Sequence, residues 1–178
     1  MKIGVVGAGT MGAGIAEIMS KKYDVVVRDI KDEFVEKGKN TITKSFEKAV
    51  AKERITEEEK NEYLSRLNFT TDINELKDCD LIVEAASENP EIKKSIFKEL
   101  CEICKENTIL ASNTSSISIT EIAAATGRPD KVIGMHFFNP ATVMKLVELI
   151  KGITTSEETV AKVKEITEEI GKTPVEVK

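Results

Sequence analysis

Short strand-like apolar runs, amphipathic segments with readable helix caps between them, and a glycine-rich turn joining the first of each predict an α/β fold. The expected form is a doubly wound, mostly parallel sheet with an inserted helical pair at about residues 32–66. The runs lie at residues 2–6, 25–27, 81–83, 109–111 and 132–138, rich in Val, Ile and Leu. Continuous apolar stretches of this length suit strands covered on both faces, as parallel strands are.

The helices follow from their caps and spacing. One opens directly after the glycine turn, over residues 11–20. Asn89-Pro90 offers an N-cap followed by proline at the first helical position, and Ile92, Ile96, Phe97, Leu100 and Ile103 then form one apolar stripe. Ser118-Ile119-Thr120-Glu121 and Thr56-Glu57-Glu58-Glu59 both have capping-box form. Residues 155–158 open a last helix, which Gly171 is placed to end. Between Asp32 and Arg66, 17 of 35 residues are charged, and Val35, Ile42, Phe46 and Ala49 make a narrow apolar stripe. That pattern reads as two helices, broken near residues 54–56 and standing off the sheet. Residues 174–178 read as a closing strand.

At 178 residues with 40% hydrophobic content, the chain is one domain with a real core. Its 26 basic and 31 acidic residues give a net charge of −5, which argues against a nucleic-acid partner. No apolar run approaches the ~18 residues of a membrane span, and the glycines after Val6 interrupt any signal-peptide core. Three cysteines are too few for a disulfide framework. A cytoplasmic enzyme or binding domain is expected, with no membrane partner.

Gly7, Ala8, Gly9, Thr10, Met11 and Gly12 spell G-x-G-x-x-G between a strand and a helix. The first glycine permits the tight turn, the second lets backbone approach a pyrophosphate, and the third lets helix and strand pack closely. The helix N-terminus then offers unpaired N–H groups to the phosphates. Asp29 ends the second strand, where an acid accepts hydrogen bonds from ribose hydroxyls and repels a 2′-phosphate. A Rossmann-type domain binding NAD in preference to NADP is expected, although Arg28 sits next to Asp29.

The single histidine, His136, lies at the C-terminal end of a strand, the ligand edge of an open α/β sheet. A lone histidine in an apolar strand is more often a satisfied core residue. Residues 143–150, however, read as the next strand, with Met144, Leu146, Glu148 and Ile150 on one face. Glu148 is then a carboxylate among apolar neighbours, in need of a partner. With Asn139-Pro140 turning the chain back, His136 and Glu148 can face each other as a general base and its orienting acid, or as a structural ion pair. Residues 111–116, Ala-Ser-Asn-Thr-Ser-Ser, read either as polar groups facing the nicotinamide end of a cofactor or as a capping turn. Cys101 and Cys104 lie deep in a helix, with Cys104 on its apolar stripe, so packing explains them better than redox chemistry or metal. No metal site is expected.

Taken together, the glycine loop, residues 111–116 and the run from Gly134 to Glu148 resemble the 3-hydroxyacyl-CoA dehydrogenases, over the whole chain. The resemblance implies interconversion of a (3S)-3-hydroxyacyl-CoA and a 3-ketoacyl-CoA with NAD, short-chain substrates being favoured. It further implies that residues 7–12 hold the pyrophosphate and Asp29 the adenosine ribose. Glu88 and Lys93 would contact NAD, and Ser115 would stand between nicotinamide and substrate oxygen. His136 would be the base and Glu148 its partner, and Ser45 and Lys52 would contact the CoA moiety. Ser45 and Lys52 are also seven residues apart on one helix face, and a cation suits CoA phosphates. Family members continue into a helical C-terminal domain that carries the dimer interface and a second wall of the acyl site. Residues 1–178 are therefore expected to be the NAD-binding domain alone, its parent a homo-oligomer through that further domain. The alternatives are an NAD-binding module with little activity of its own, or another Rossmann β-hydroxyacid dehydrogenase.

Overall fold

A computed structural model describes residues 1–177. Eight strands form one sheet: β1 (Lys2–Val6), β2 (Asp24–Arg28), β3 (Leu67–Thr70), β4 (Leu81–Glu84), β5 (Ile109–Ser112), β6 (Val132–Phe137), β7 (Leu146–Lys151) and β8 (Thr173–Val177). The spatial order is β3-β2-β1-β4-β5-β6-β7-β8. Every neighbouring pair is parallel except β6 with β7. The chain builds outward from β1 to β2 and β3, then returns to place β4 on the other side of β1. That reversal opens a crevice at the carboxyl ends of β1 and β4, where open α/β sheets bind ligands.

Among the described residues six α-helices accompany the sheet: α1 (Thr10–Ser20), α2 (Asp32–Ala51), α3 (Glu57–Ser65), α4 (Pro90–Ile103), α5 (Ile119–Ala124) and α6 (Glu157–Glu169). One face of the sheet packs Ile3, Val5, Val83, Met135 and Leu149 against α1 and α6, with Ile42 and Phe46 of α2 closing the same core. The other face packs Val6, Val26, Ile82 and Leu110 against Phe97 and Leu100 of α4 and Ile122 of α5. Burial on both faces is why these strands read as unbroken apolar runs. The helical pair is present as α2 and α3, and Val35, Gly38, Ile42 and Phe46 are the buried line of α2. Thr56 completes a full capping box with Glu59 at the start of α3.

Several boundaries differ from expectation. β3 follows α3 directly and is only partly buried, so its Leu-Asn-Phe-Thr carries no long apolar run. The seventh strand begins at Leu146, not residue 143, because the Val143 and Met144 amides turn back onto the Pro140 carbonyl. Its buried residues are Val147 and Leu149, so the face carrying Leu146, Glu148 and Ile150 is the more open one. The last helix is capped by Ser156 rather than opened by Thr155, whose hydroxyl instead donates to the Val132 carbonyl. At Ser118 only the serine half of the capping box forms. The closing strand is there as β8, with Lys178 outside the described residues. Among the described residues no helix is long and apolar enough to cross a membrane.

Candidate active site

The glycine turn has the geometry that its spacing demands. Gly7 has φ +102°, and a Cβ there would fall 2.7 Å from the Ala85 carbonyl oxygen. A Cβ on Gly12 would fall 1.8 Å from the Gly7 oxygen, so this contact of α1 with the turn admits only glycine. Gly9 has nothing within 4 Å of the equivalent point, which leaves its backbone open to a ligand. Gly9 is also the N-cap of α1; no side chain caps the helix and no acid occupies its first turn. Its leading amides are thus free to meet an anion.

Beside this turn lies a cavity of about 550 Å³ lined by residues including Gly7, Ala8, Gly9, Asp29, Ile30 and Ile92. Ile30 is 65% exposed and Ile92 46%, apolar walls open to a flat aromatic ligand. Ile92 thus leaves the packed stripe of α4 and faces this opening. The Asp29 carboxylate accepts the Ala8 amide at 2.7 Å through Oδ2 and the Ile30 amide at 2.7 Å through Oδ1, which fixes it at the end of β2. Each oxygen keeps a lone pair for ribose hydroxyls. These features fit a dinucleotide: open amides for pyrophosphate, an acid for a ribose and apolar walls for a base.

The polar groups after β4 and β5 are joined underneath the surface. Glu84, fully buried, accepts Lys93 Nζ at 2.7 and 2.9 Å, the Ser112 hydroxyl at 2.8 Å and the Ala86 amide at 2.8 Å. Glu88 is half exposed; it accepts the Thr114 hydroxyl at 2.8 Å and lies 3.7 Å from Lys93 Nζ. Lys93 thus gives two of its three protons to Glu84 and has one left on the Glu88 side. Ser112 and Thr114 turn inward, whereas Ser115 and Ser116 are exposed, so only part of the cluster can reach a ligand. The sequence pattern did not reveal Glu84, because an acid ending an apolar strand has no period of its own.

His136 and Glu148 meet as expected. They are direct register partners in the β6–β7 pair, with Nδ1 3.0 Å from Oε2. The imidazole is 17% exposed and the carboxylate 34%, so Glu148 is not the acid buried among apolar side chains that strand periodicity suggested. Phe138 packs its ring against the imidazole, centroids 4.7 Å apart. Asn113 Oδ1 accepts the Phe137 amide at 2.8 Å, tying the polar loop to the strand beside His136.

Ser45 and Lys52 are arranged differently from each other. The Ser45 hydroxyl donates to Glu17 Oε1 at 2.7 Å, which uses its only proton inside the domain. Lys52 lies beyond the last residue of α2, as its C-cap, and is exposed, so the two do not share a regular helix face. Burial pushes the Glu17 carboxyl up, against the opposing pull of the Ser45 hydroxyl and the Lys21 ammonium. Among the described residues no group of three potential ligands could hold a metal. Burial raises the Cys79 thiol to about 12 and the Cys104 thiol to about 11, which makes both poor nucleophiles.

Residues 2–178 match the sequence family described as 3-hydroxyacyl-CoA dehydrogenase, NAD binding domain. The probable 3-hydroxybutyryl-CoA dehydrogenase of Deinococcus radiodurans is 51% identical over 176 residues, covering 98% of this chain and 63% of that protein. The 3-hydroxybutyryl-CoA dehydrogenase of Clostridioides difficile is 49% identical over 178 residues, covering 99% and 63%. Among solved structures, (S)-3-hydroxybutyryl-CoA dehydrogenase from Ralstonia eutropha superposes with a TM-score of 0.96 at 47% identity, covering 99% of this chain and 62% of that one. The chain therefore spans about three fifths of the length of the relatives that it matches.

Proposed function

The chain belongs to the family of NAD-binding domains of 3-hydroxyacyl-CoA dehydrogenases, and from that premise we propose that it carries the cofactor site and the acid–base pair of an enzyme interconverting (3S)-3-hydroxybutyryl-CoA and acetoacetyl-CoA. The observation that carries the reading is the His136–Glu148 pair, 3.0 Å apart at the ligand edge of the sheet.

In this reading the open amides at Gly9, Thr10 and Met11 hold the pyrophosphate, with Gly7, Ala8 and Gly12 shaping the turn, and Asp29 holds the adenosine ribose. Glu88 serves the nicotinamide end, and Lys93, fully buried against Glu84, acts there only through Glu88. When bound, NAD supplies the two-electron acceptor for the carbinol carbon. His136 moves the proton. An ionised Glu148 can only accept, so Nδ1 carries hydrogen and Nε2 presents its lone pair. Nε2 takes the hydroxyl proton during oxidation and returns it during reduction, while Glu148 stabilises the imidazolium in between. Ser115, exposed on the loop between cofactor and substrate, orients the reacting oxygen. Lys52 is free to meet a CoA phosphate; Ser45 can donate to one only if its hydroxyl turns away from Glu17.

We further propose that a second, helical domain completes the acyl site and joins subunits, since about two fifths of each relative's length lies outside the match. The three free thiols suit the reducing cytoplasm. A steady-state assay of the 178-residue chain with NADH and acetoacetyl-CoA tests this division. Slow turnover with intact NADH binding is expected, because the substrate is not held in its reactive geometry. Turnover at a rate of ~10 s⁻¹, ordinary for enzymes, would place the complete site within these residues.

A further inference from the structure

His136 and Glu148 sit near the open end of their strand pair, since Phe137 and Val147 form the last register couple before residues 138–145 loop from β6 to β7. Strand ends fray unless something holds the connection. Inside the loop, Asn139 and Pro140 begin the turn, and the Val143 and Met144 amides donate to the Pro140 carbonyl at 3.0 Å each. The remaining support comes from the corner between α6 and β8. Lys172 Nζ donates to the Ala141 carbonyl at 2.6 Å and to the Met144 carbonyl at 2.7 Å. The next amide, on Thr173, donates to the Lys145 carbonyl at 2.8 Å. Three loop carbonyls are thus satisfied by two adjacent residues. On its other side the loop lies on α1: Ala141 is 4% exposed, and a Cβ on Gly14 would approach its Cβ to 3.2 Å. The same helix offers its N-terminal amides to the cofactor.

We infer that Lys172 is a positioning residue for the acid–base pair: its ammonium clamps the 138–145 loop onto α1 and so keeps His136 and Glu148 in register beside the cofactor. Lysine suits the task because one ammonium can donate to two neutral carbonyls at once and charge strengthens both bonds. Burial, then the charge of Lys21, holds the Lys172 ammonium below the ordinary lysine range, in keeping with a cation drawn into the fold.

The inference rests on the acid–base reading of His136, but its test does not depend on turnover. His136 is the only histidine, so the long-range 1H–15N spectrum of the neutral imidazole in the labelled 178-residue chain is free of overlap. Wild type should show one tautomer, with hydrogen on Nδ1. Lys172→Met should give a mixture of tautomers and faster exchange of the His136 and Glu148 backbone amides, the couple that faces across the two strands, about 10-fold or more by the general behaviour of released strand ends. Lys172→Arg should restore both, and NADH affinity should change less than about twofold, since residues 7–12 lie outside the clamp. Should Lys172→Met not fold, Lys172→Gln, with a neutral and shorter donor, carries the same reading. An imidazole spectrum and exchange rates that stay as in wild type, or a parallel loss of NADH affinity, overturns the inference. Failure of His136→Gln to slow turnover would sink the acid–base reading while leaving the clamp measurable.

Discussion

His136 Nδ1 lies 3.0 Å from Glu148 Oε2, and the two residues are cross-strand partners in the one antiparallel pair of the sheet. The strand register itself sets the separation of the Cα atoms, so side-chain rotamers alone complete the contact. Reversal of the chain at residues 138–145 is therefore part of the site. Glu148→Gln keeps the shape but loses the charge. In the chain assayed with NADH and acetoacetyl-CoA it should slow reduction by about 10-fold or more, on the scale of acid–base effects, with NADH affinity retained. A variant as fast as wild type would mean that Glu148 only orients the ring.

Cofactor choice is expected to turn on Asp29. Its carboxylate is fixed by the Ala8 and Ile30 amides at the cavity edge and would face a 2′-phosphate at close range. Calorimetry should find NADH bound tighter than NADPH, with Asp29→Ala narrowing the ratio. Equal affinities in wild type would show that Arg28 and Lys37, which line the same cavity, outweigh the acid.

Gly12 is the position of the turn least tolerant of a side chain, because a Cβ would fall 1.8 Å from backbone oxygen, against 2.7 Å at Gly7. Gly12→Ala should force α1 away from the Gly7 carbonyl and weaken NADH binding by at least about 10-fold, a shift of ~1.4 kcal/mol. Gly9→Ala, in open space, should cost the fold only the modest N-cap preference for glycine over alanine and act mainly on the cofactor. Matching thermal losses in both variants would contradict the distinction.

Glu17 gives a pH signature. Its folded carboxyl titrates above the ordinary glutamate value, of ~4.3, because burial outweighs the Ser45 hydrogen bond and the Lys21 charge. Below that ordinary value both states are protonated and nothing is lost. As pH rises through the window up to the raised folded value, the folded state holds the extra proton and stability falls. Glu17→Gln should therefore raise the melting temperature at pH 7 and leave it unchanged near pH 4. An equal gain at both pH values would assign the effect to packing.

The sheet was legible because strands buried on both faces must be apolar throughout, and the cofactor turn because its three glycines answer to three separate steric demands. β3 was not: Asn68 is exposed, and neither alternation nor an apolar run marks so short an edge strand. The pairing of His136 with Glu148 was readable from their strands, but the face of Glu148 was misjudged, since alternation separates two faces without saying which is covered. Buried α4 residues include Lys93, a cation on an otherwise apolar side, and its partner Glu84 lies nine residues away across a loop. Lys172 was invisible for a different reason. Its partners are backbone carbonyls about 30 residues distant, and a carbonyl has no sequence identity.

In the proposed function His136 moves the proton in an NAD-linked oxidoreduction. The most direct test of that role is a single-turnover experiment with the 178-residue chain in excess over NADH, following loss of the reduced cofactor's absorbance after acetoacetyl-CoA is added. His136→Gln should bind NADH as wild type does and react about 10²–10⁴-fold more slowly, the usual cost of removing a general acid–base group. A His136→Gln rate equal to that of wild type would rule out His136 as the acid–base group.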